Sequence, residues 1–229
     1  GLGVPGVGSH RREHRMTESP EGTRFEFATV GTRTVYEGAI LALRLDQVQM
    51  PGGRVAEREV VEHHGAVGVA AVDDQGRIAM IEQYRHPMGR RLWELPAGLL
   101  DEIGEPPVEA AKRELAEETG LAAERWSVLV DVAASPGFTD EIVRIFLAEG
   151  LSEVDRPEAE HEEADIVLEF VPLTEAVERT LSGDIVNASA VSGILALAAH
   201  RAGSTALRPA DAPWPDLPTT FERRKNPRG

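Results

Sequence analysis

A short segment of the chain gathers acidic side chains at helical spacing. In residues 113–121, RELAEETGL, Glu114 is followed by Glu117 and Glu118, three and four residues later. A helix places residues at this spacing on one face, where three like charges repel one another. An acidic helix face is ordinarily a solvated surface. Hard divalent cations such as Mg²⁺ also select clustered carboxylates, together with substrate phosphates. A solvated face and a cation site are the two interpretations.

The residues around these acids predict the helix that must position them. Pro106 and Pro107 suit a helix start, and the apolar residues Val108, Ala111 and Leu115 recur at helical spacing. Gly120 stands where a C-terminal glycine cap belongs. Strand-like runs and further helices flank this helix, so we expect an α/β protein. Strands are predicted near 34–49, 66–72, 78–84, 126–133, 142–148 and 166–171, and helices near 174–181 and 188–200.

Composition limits the function classes. A chain of 229 residues with 41% apolar content can bury a substantial core. It has no cysteine, which excludes disulfides, thiolate metal sites and a cysteine nucleophile, and a cytoplasmic protein is the default expectation. A net charge of −15 disfavours nucleic acid as a partner. The longest apolar run, 188–199, is too short to span a membrane and predicts a buried helix.

Four regions are predicted along the chain. Residues 1–15 are interpreted as a tag or upstream extension, because Met16 is a plausible start. Residues 16–62 form an N-terminal β region, and residues 63–206 carry the acidic helix. Residues 207–229 are rich in proline and then basic, which predicts a loosely held arm.

The residues from Gly98 to Leu121 resemble the Nudix box, and every fixed position from Glu105 onward matches. Six residues instead of the usual five separate Gly98 from Glu105, so the loop carries one extra residue. The resemblance implies a Nudix fold, a mixed β-sheet sandwiched between helices, with a small N-terminal β-strand region. It also implies hydrolysis of a pyrophosphate by activated water, with Mg²⁺ as the metal and Mn²⁺ as an alternative.

The resemblance assigns roles around the metal. Glu114 and Glu118 would be direct ligands, Glu117 a direct or water-mediated one, and the carbonyl of Ala97 a ligand from the loop. Two further residues, Arg113 and Glu105, would support them, since a guanidinium binds carboxylates in bidentate fashion.

Three flanking strings, 82–85, 93–98 and 135–141, resemble the ADP-ribose pyrophosphatase subfamily. The substrate would be ADP-ribose, a nucleoside diphosphate linked to a sugar, and the products AMP and ribose 5-phosphate. The subfamily's pattern implies substrate contacts at four residues of one chain and at Arg58, which would reach across a homodimer. The four are Arg85, Trp93, Leu99 and Glu141.

The general base is expected in the acidic loop 157–165. Glu162 is favoured by its match to the subfamily's catalytic loop glutamate, with Glu163 as the second candidate. The neighbouring pair His63 and His64 receives no role, because exposed histidines are usually neither acids nor ligands.

Three alternatives stay open. The enzyme could act on another nucleotide such as NADH or GDP-mannose, because the acidic helix with its metal would recognise only the pyrophosphate. The domain could instead be a ligand-sensing module that has lost catalysis, although the chain keeps every glutamate of the box. The acidic helix could also be purely structural.

Glu118→Gln separates the metal site from the structural helix. We expect lost activity, with the thermal stability of the metal-free protein unchanged or raised, because one repelling charge is removed. The measurements are turnover with Mg²⁺ and a thermal melt in a chelator. A large fall in metal-free stability with residual activity would contradict the metal-site interpretation.

Overall fold

The structure is a computed structural model that describes residues 24–156, 165–203 and 206–226. Its strands are β1 (Thr29–Glu37), β2 (Leu41–Gln49), β3 (Val55–His63), β4 (Ala66–Val72), β5 (Arg77–Arg85), β6 (Arg90–Glu94), β7 (Ala97–Leu99), β8 (Leu121–Ala133), β9 (Ile142–Glu153), β10 (Val167–Pro172) and β11 (Arg208–Pro209). Its α-helices are α1 (Pro107–Thr119), α2 (Leu173–Leu181), α3 (Ala188–Arg201) and α4 (Thr220–Lys225).

A mixed sheet forms the centre of the molecule. Its strands follow the order β10-β5-β4-β9-β8-β11, with β6 paired to β5 and β7 paired to β4. Strands β4 and β9 are parallel, and the other pairs are antiparallel. Strands β4 and β5 are in register only at Val72 and Ile78, next to their connecting turn. Beyond that point β5 pairs with β6 and β4 with β7, so the sheet opens between them.

Helices cover both faces of this sheet, as expected for an α/β sandwich. Strand β4 is buried throughout, and its alternate side chains point to opposite faces. Val67 and Val69 pack with Leu115 of α1, whereas Ala70 packs with Ile194 of α3. Two apolar cores therefore hold the sheet between α1 on one side and α2 with α3 on the other.

The predicted acidic helix is α1, and its predicted ends are confirmed. Gly120 has a positive φ of 70°, and its N–H donates to the Ala116 carbonyl over 2.9 Å. A glycine adopts this left-handed conformation without strain, which ends the helix there.

The predicted apolar helix in 188–199 is α3, which buries Ala190, Ile194 and Leu197. In the part of the chain that the structure describes, no helix is long and apolar enough to cross a membrane.

The N-terminal β region is a separate antiparallel sheet in the order β1-β2-β3. The predicted run at 34–49 is two strands, and β3 follows the turn at Gly52 and Gly53. Strand β3 carries few apolar residues in its first half and is mostly exposed there, so its sequence gave a weak strand signal. Its backbone bonds to β2 along its whole length nevertheless define it as a strand.

The prediction of a loosely held C-terminal arm is wrong for residues 206–226, here called the C-terminal segment. Strand β11 pairs with β8, and Phe221 of α4 is fully buried. The buried Arg144 donates to the carbonyls of Ala212 and Pro213 over 2.7 and 3.2 Å. A stretch rich in proline and basic residues is typical of a mobile tail, but composition reports only on the stretch itself. Arg144, which holds this segment, lies about 70 residues away in sequence.

The end of the C-terminal segment also binds the N-terminal sheet. Arg224 donates to both carboxylate oxygens of Glu62 over 2.8 Å, and Arg44 donates to the same group over 2.7 Å. Burial alone would raise the pKa of Glu62, but the hydrogen bonds from Arg224 and Arg44 outweigh it and lower that pKa. Glu62 is therefore held as an ion between two cations.

Phe221→Ala tests whether the C-terminal segment is part of the core. We expect the free energy of unfolding to fall by about 3–5 kcal/mol, because a buried aromatic ring leaves a cavity. Urea unfolding followed by circular dichroism measures this change. Leu181→Ala, at a leucine that is 76% exposed, is the matched control and should shift the value by less than about 0.5 kcal/mol. Equal effects of the two substitutions would contradict the assignment.

Candidate active site

An open cleft of about 1100 Å³ lies where the central sheet separates. Residues at the ends of β5 and β6 form one wall, and β7, its following loop and α1 form the other. The lining side chains are mostly charged or polar, which suits an ionic ligand better than an apolar one. They include Gln83, Arg85, Arg91, Leu99, Asp101, Glu102, Arg113, Glu114, Glu117, Glu118 and Asp165.

Gly98, in the short strand β7, allows the acidic helix to approach the loop that begins with this strand. A Cβ atom at residue 98 would lie 2.0 Å from Cδ of Glu114, a distance that real atoms do not tolerate. The Glu114 carboxyl group therefore occupies the space that any other side chain at position 98 would fill. This contact fixes the loop carbonyls next to the carboxylates of α1.

A second carboxylate ties the same loop to the helix. Glu118 is only 6% exposed, and its Oε2 accepts a hydrogen bond from the Ala97 amide over 2.9 Å. Since the amide of Ala97 is occupied by Glu118, the orientation of this peptide is fixed. Ala97, Glu114, Glu117 and Glu118 all line the one cleft.

Arg113 holds the acidic cluster together. Its Nε and Nη2 atoms donate to Glu105 over 3.2 and 3.0 Å, and its Nη1 donates to Glu114 over 2.6 Å and Glu117 over 3.2 Å. The hydrogen bonds that Arg113 donates to Glu105, the largest influence, and to Glu114 raise the pKa of Arg113 above its usual range, although burial acts in the opposite direction. The loop before Glu105 ends in a turn, in which the Glu105 amide donates to the Glu102 carbonyl over 3.2 Å.

The cluster fits a divalent cation in its chemistry. Burial raises the pKa of Glu114 to about 7, although the charge and hydrogen bond of Arg113 act in the opposite direction. Burial deprives the ionised carboxylate of stabilising contacts with water, and a bound cation would stabilise its charge instead. In the described ranges, no three acidic or histidine side chains already stand at ligand geometry. Arg113 explains this, since it draws Glu114 and Glu117 toward itself while Glu118 bonds to Ala97.

A second cavity of about 430 Å³ adjoins the cleft. The two share Arg85 and the three residues of β7, Ala97, Gly98 and Leu99, so one ligand can extend through both. Arg85 makes a bidentate pair with Glu94, at 2.8 Å from Nε and 2.6 Å from Nη2. Glu94 is 2% exposed, so it holds the guanidinium plane rigidly at the junction.

Glu141 lines the second cavity, in a loop that packs on β3. The backbone of this loop is fixed by two hydrogen bonds, from the Val61 amide to the Phe138 carbonyl over 2.7 Å and from the Asp140 amide to the Val61 carbonyl over 3.3 Å. His63, at the end of β3, lies beside Glu141 and lines the same cavity.

The structure does not bring every predicted residue to the cleft. The Trp93 ring packs under Arg179, whose guanidinium carbon is 4.7 Å from the ring centroid, and it does not line either cavity. Arg58 is exposed on the N-terminal sheet and donates to the Glu57 carbonyl over 2.9 Å. Glu162 and Glu163 lie outside the described residues, so the general base stays a prediction.

Glu94 and His63 are among the site residues that sequence reasoning missed. Glu94 could have been found as the charged residue in the otherwise apolar string 92–97, which predicts a buried acid that needs a partner. His63 gave no local signal, because its neighbour Glu141 is distant in sequence and reaches it only through the packing of β3.

The fold and the cleft define the class of this protein: an α/β sandwich whose sheet opens into a cleft lined by an acidic helix that can hold a divalent cation. The family model described as the NUDIX domain matches residues 62–189, and the model described as the nucleoside diphosphate sugar hydrolase N-terminal domain matches residues 28–61. The chain therefore belongs to the Nudix family.

Individual relatives cover most of the chain. An ADP-ribose pyrophosphatase of Mycobacterium tuberculosis is 56% identical over 87% of this chain and 97% of the relative. A methanol dehydrogenase activator of Bacillus methanolicus is 40% identical over 69% of this chain and 84% of the relative. A solved structure described as an ADP compounds hydrolase has a TM-score of 0.68 at 20% identity, covering 79% of this chain and 98% of that one, and supports the fold alone.

Gly98→Ala tests the close approach of loop and helix. The added methyl group must displace Glu114, so we expect metal-dependent turnover to fall about 10- to 100-fold while the fold is kept. Steady-state assays and circular dichroism measure the two quantities. Gly31→Ala is the control, because its Cβ would meet only Gln47 at an ordinary 3.6 Å. Full activity of Gly98→Ala would show that the contact is dispensable.

Proposed function

We propose that this Nudix hydrolase cleaves the pyrophosphate of ADP-ribose to AMP and ribose 5-phosphate. The observation that carries the proposal is the junction of two cavities, one acidic and one lined by Glu141, which share Arg85. A pyrophosphate in the acidic cleft leaves one of its flanking groups in the second cavity. The 56% identical ADP-ribose pyrophosphatase, matched over nearly its whole length, supports this substrate.

The metal of this reaction is proposed to be Mg²⁺, with Mn²⁺ as the alternative. The carbonyl of Ala97 and the carboxylates of Glu114, Glu117 and Glu118 would hold it, since oxygen donors suit both ions. When bound, the ion neutralises charge on the pyrophosphate and makes a bound water more acidic. Arg113 and Glu105 keep the carboxylates in place through the hydrogen bonds described above.

The chain's other residues complete the site. Arg85, held by Glu94, contacts the nucleotide side of the substrate, and Leu99 supplies apolar contact at the junction of the cavities. Glu162, or Glu163 in its place, is the proposed base that takes a proton from the attacking water. Trp93 would contact the substrate only after its ring leaves Arg179.

We also propose that the N-terminal sheet forms a homodimer. Phe27, Val30 and Tyr36 are each 59% exposed in or beside β1, and apolar side chains clustered on a surface favour burial against a partner. Arg58 lies in the same sheet and would enter the partner's cleft from there.

A product analysis tests the substrate. The purified chain is incubated with Mg²⁺ and ADP-ribose, GDP-mannose, NADH or ATP, and the products are identified by chromatography. We expect AMP and ribose 5-phosphate to form fastest from ADP-ribose, and Glu118→Gln to remove this activity. Faster turnover of NADH or GDP-mannose would reassign the substrate, and turnover of none would indicate a ligand-sensing module. Full activity at dilutions where sedimentation finds only monomer would contradict the contribution of Arg58.

A further inference from the structure

Three arginines are among the described residues that line the acidic cleft, and they differ in how firmly they are held. Arg85 forms its bidentate pair with Glu94, a carboxylate that is only 2% exposed. Arg113 is shared by three glutamates of the acidic cluster. The third, Arg91 of β6, donates from Nη2 to the carboxylate of Asp165. We therefore compared the partners of these cations.

The pair of Arg91 and Asp165 lies in contact with solvent. Its side chains are 40% and 64% exposed, and the Nη1 atom of Arg91 lies 3.4 Å from the Asp165 carbonyl oxygen, beyond the usual range of a strong hydrogen bond. Exposed ion pairs contribute little to stability, because water solvates both charges and two side chains must be ordered. Arg91 can therefore exchange this carboxylate for another anion at little cost. Arg85 cannot do so, since it would leave the buried Glu94 without a partner.

Strand pairing places Arg91 on the wall that faces the acidic helix. In the register of β5 and β6 it lies directly opposite Tyr84, and both residues line the cleft. The carboxylates proposed to hold the metal line the other wall. A diphosphate bound between the two walls would have the metal on one side and the guanidinium of Arg91 on the other.

A diphosphate needs such a cation in this cleft. The described lining includes six carboxylates, and each repels an anionic ligand unless a cation compensates it. A guanidinium binds two phosphate oxygens at once, with the same planar geometry in which it binds a carboxylate. Phosphate and the Asp165 carboxylate are therefore competing partners for one group. The six are Asp101, Glu102, Glu114, Glu117, Glu118 and Asp165.

We propose that Arg91 is a further substrate-binding residue that contacts the diphosphate, and that Asp165 occupies its guanidinium until the substrate replaces it. The other role open to Arg91 is to neutralise Asp165 without touching the substrate. The inference rests on the proposed function only in that a diphosphate binds in the acidic cleft, and it holds for any group attached to that diphosphate.

Substitutions of Arg91 test the contact. We expect Arg91→Ala to raise KM for ADP-ribose about 10- to 100-fold with kcat kept within about threefold, the effect of losing hydrogen bonds to a charged group. Arg91→Lys should recover only part of the affinity, because an ammonium group keeps the charge and loses the bidentate geometry. Arg90→Ala is the matched control. It removes the same charge from the neighbouring residue of β6, which is exposed and lies outside the lining of the cleft.

Metal-free calorimetry with ADP gives a readout independent of turnover. ADP carries the diphosphate without the second ribose, so Arg91→Ala should weaken its binding and Arg90→Ala should not. Thermal melts of the same variants check that each is folded. Arg91→Lys provides the comparison with wild type if the alanine variant does not fold.

Asp165→Asn distinguishes the two roles of Arg91. If Asp165 competes with the substrate, its removal should lower KM about two- to fivefold, the worth of an exposed ion pair. Arg91→Ala should then cost more in the Asp165→Asn background than in wild type, by the same factor. If Arg91 only neutralises Asp165, the cost of Arg91→Ala should disappear in that background.

The outcomes separate this proposal from the proposed function. If wild type hydrolyses ADP-ribose but Arg91→Ala matches Arg90→Ala in KM and in metal-free affinity for ADP, the role of Arg91 is overturned and the proposed function stands. Loss of the Arg91→Ala effect in the Asp165→Asn background, or a higher KM of Asp165→Asn itself, would also overturn the proposal. If NADH or GDP-mannose is the better substrate and Arg91→Ala raises its KM, the proposed substrate is wrong and the role of Arg91 is supported.

Discussion

The packing of the Glu114 carboxyl group against the backbone of Gly98 is the constraint on which the site depends. A side chain at position 98 would have to displace this carboxyl group from its place beside the backbone. A buried carboxylate is costly unless it is paired, and Arg113 compensates it here while also holding Glu105 and Glu117. The acidic cluster is thus joined by one guanidinium and still accessible from the cleft.

The central sheet creates the space around this cluster. Because β4 and β5 separate after their turn, β6 and β7 can each add to one of them, and the two cavities lie along the opening. Glu94 on β6 then positions Arg85 on β5 across a pair of neighbouring strands. Strand register therefore determines the position of the Arg85 guanidinium at the junction of the cavities. The packing of α1 determines the position of the acidic wall.

The two terminal regions stabilise the second cavity from outside. Strand β3 belongs to the N-terminal sheet, yet its end contacts the loop of Glu141 through Val61 and His63. The C-terminal segment holds the same strand, since Arg224 binds Glu62 and Phe221 packs against His64. Both terminal regions therefore pack against the strand that supports the Glu141 loop.

The sequence alone determined what depends on near neighbours along the chain. The acidic face of α1 and its ends follow from helical spacing and capping, which involve only residues a few positions apart. The tertiary structure alone decided the pairs Arg85 with Glu94 and His63 with Glu141, and the docking of the C-terminal segment. These contacts depend on strand pairing and on burial between distant parts of the chain, and local spacing does not encode either.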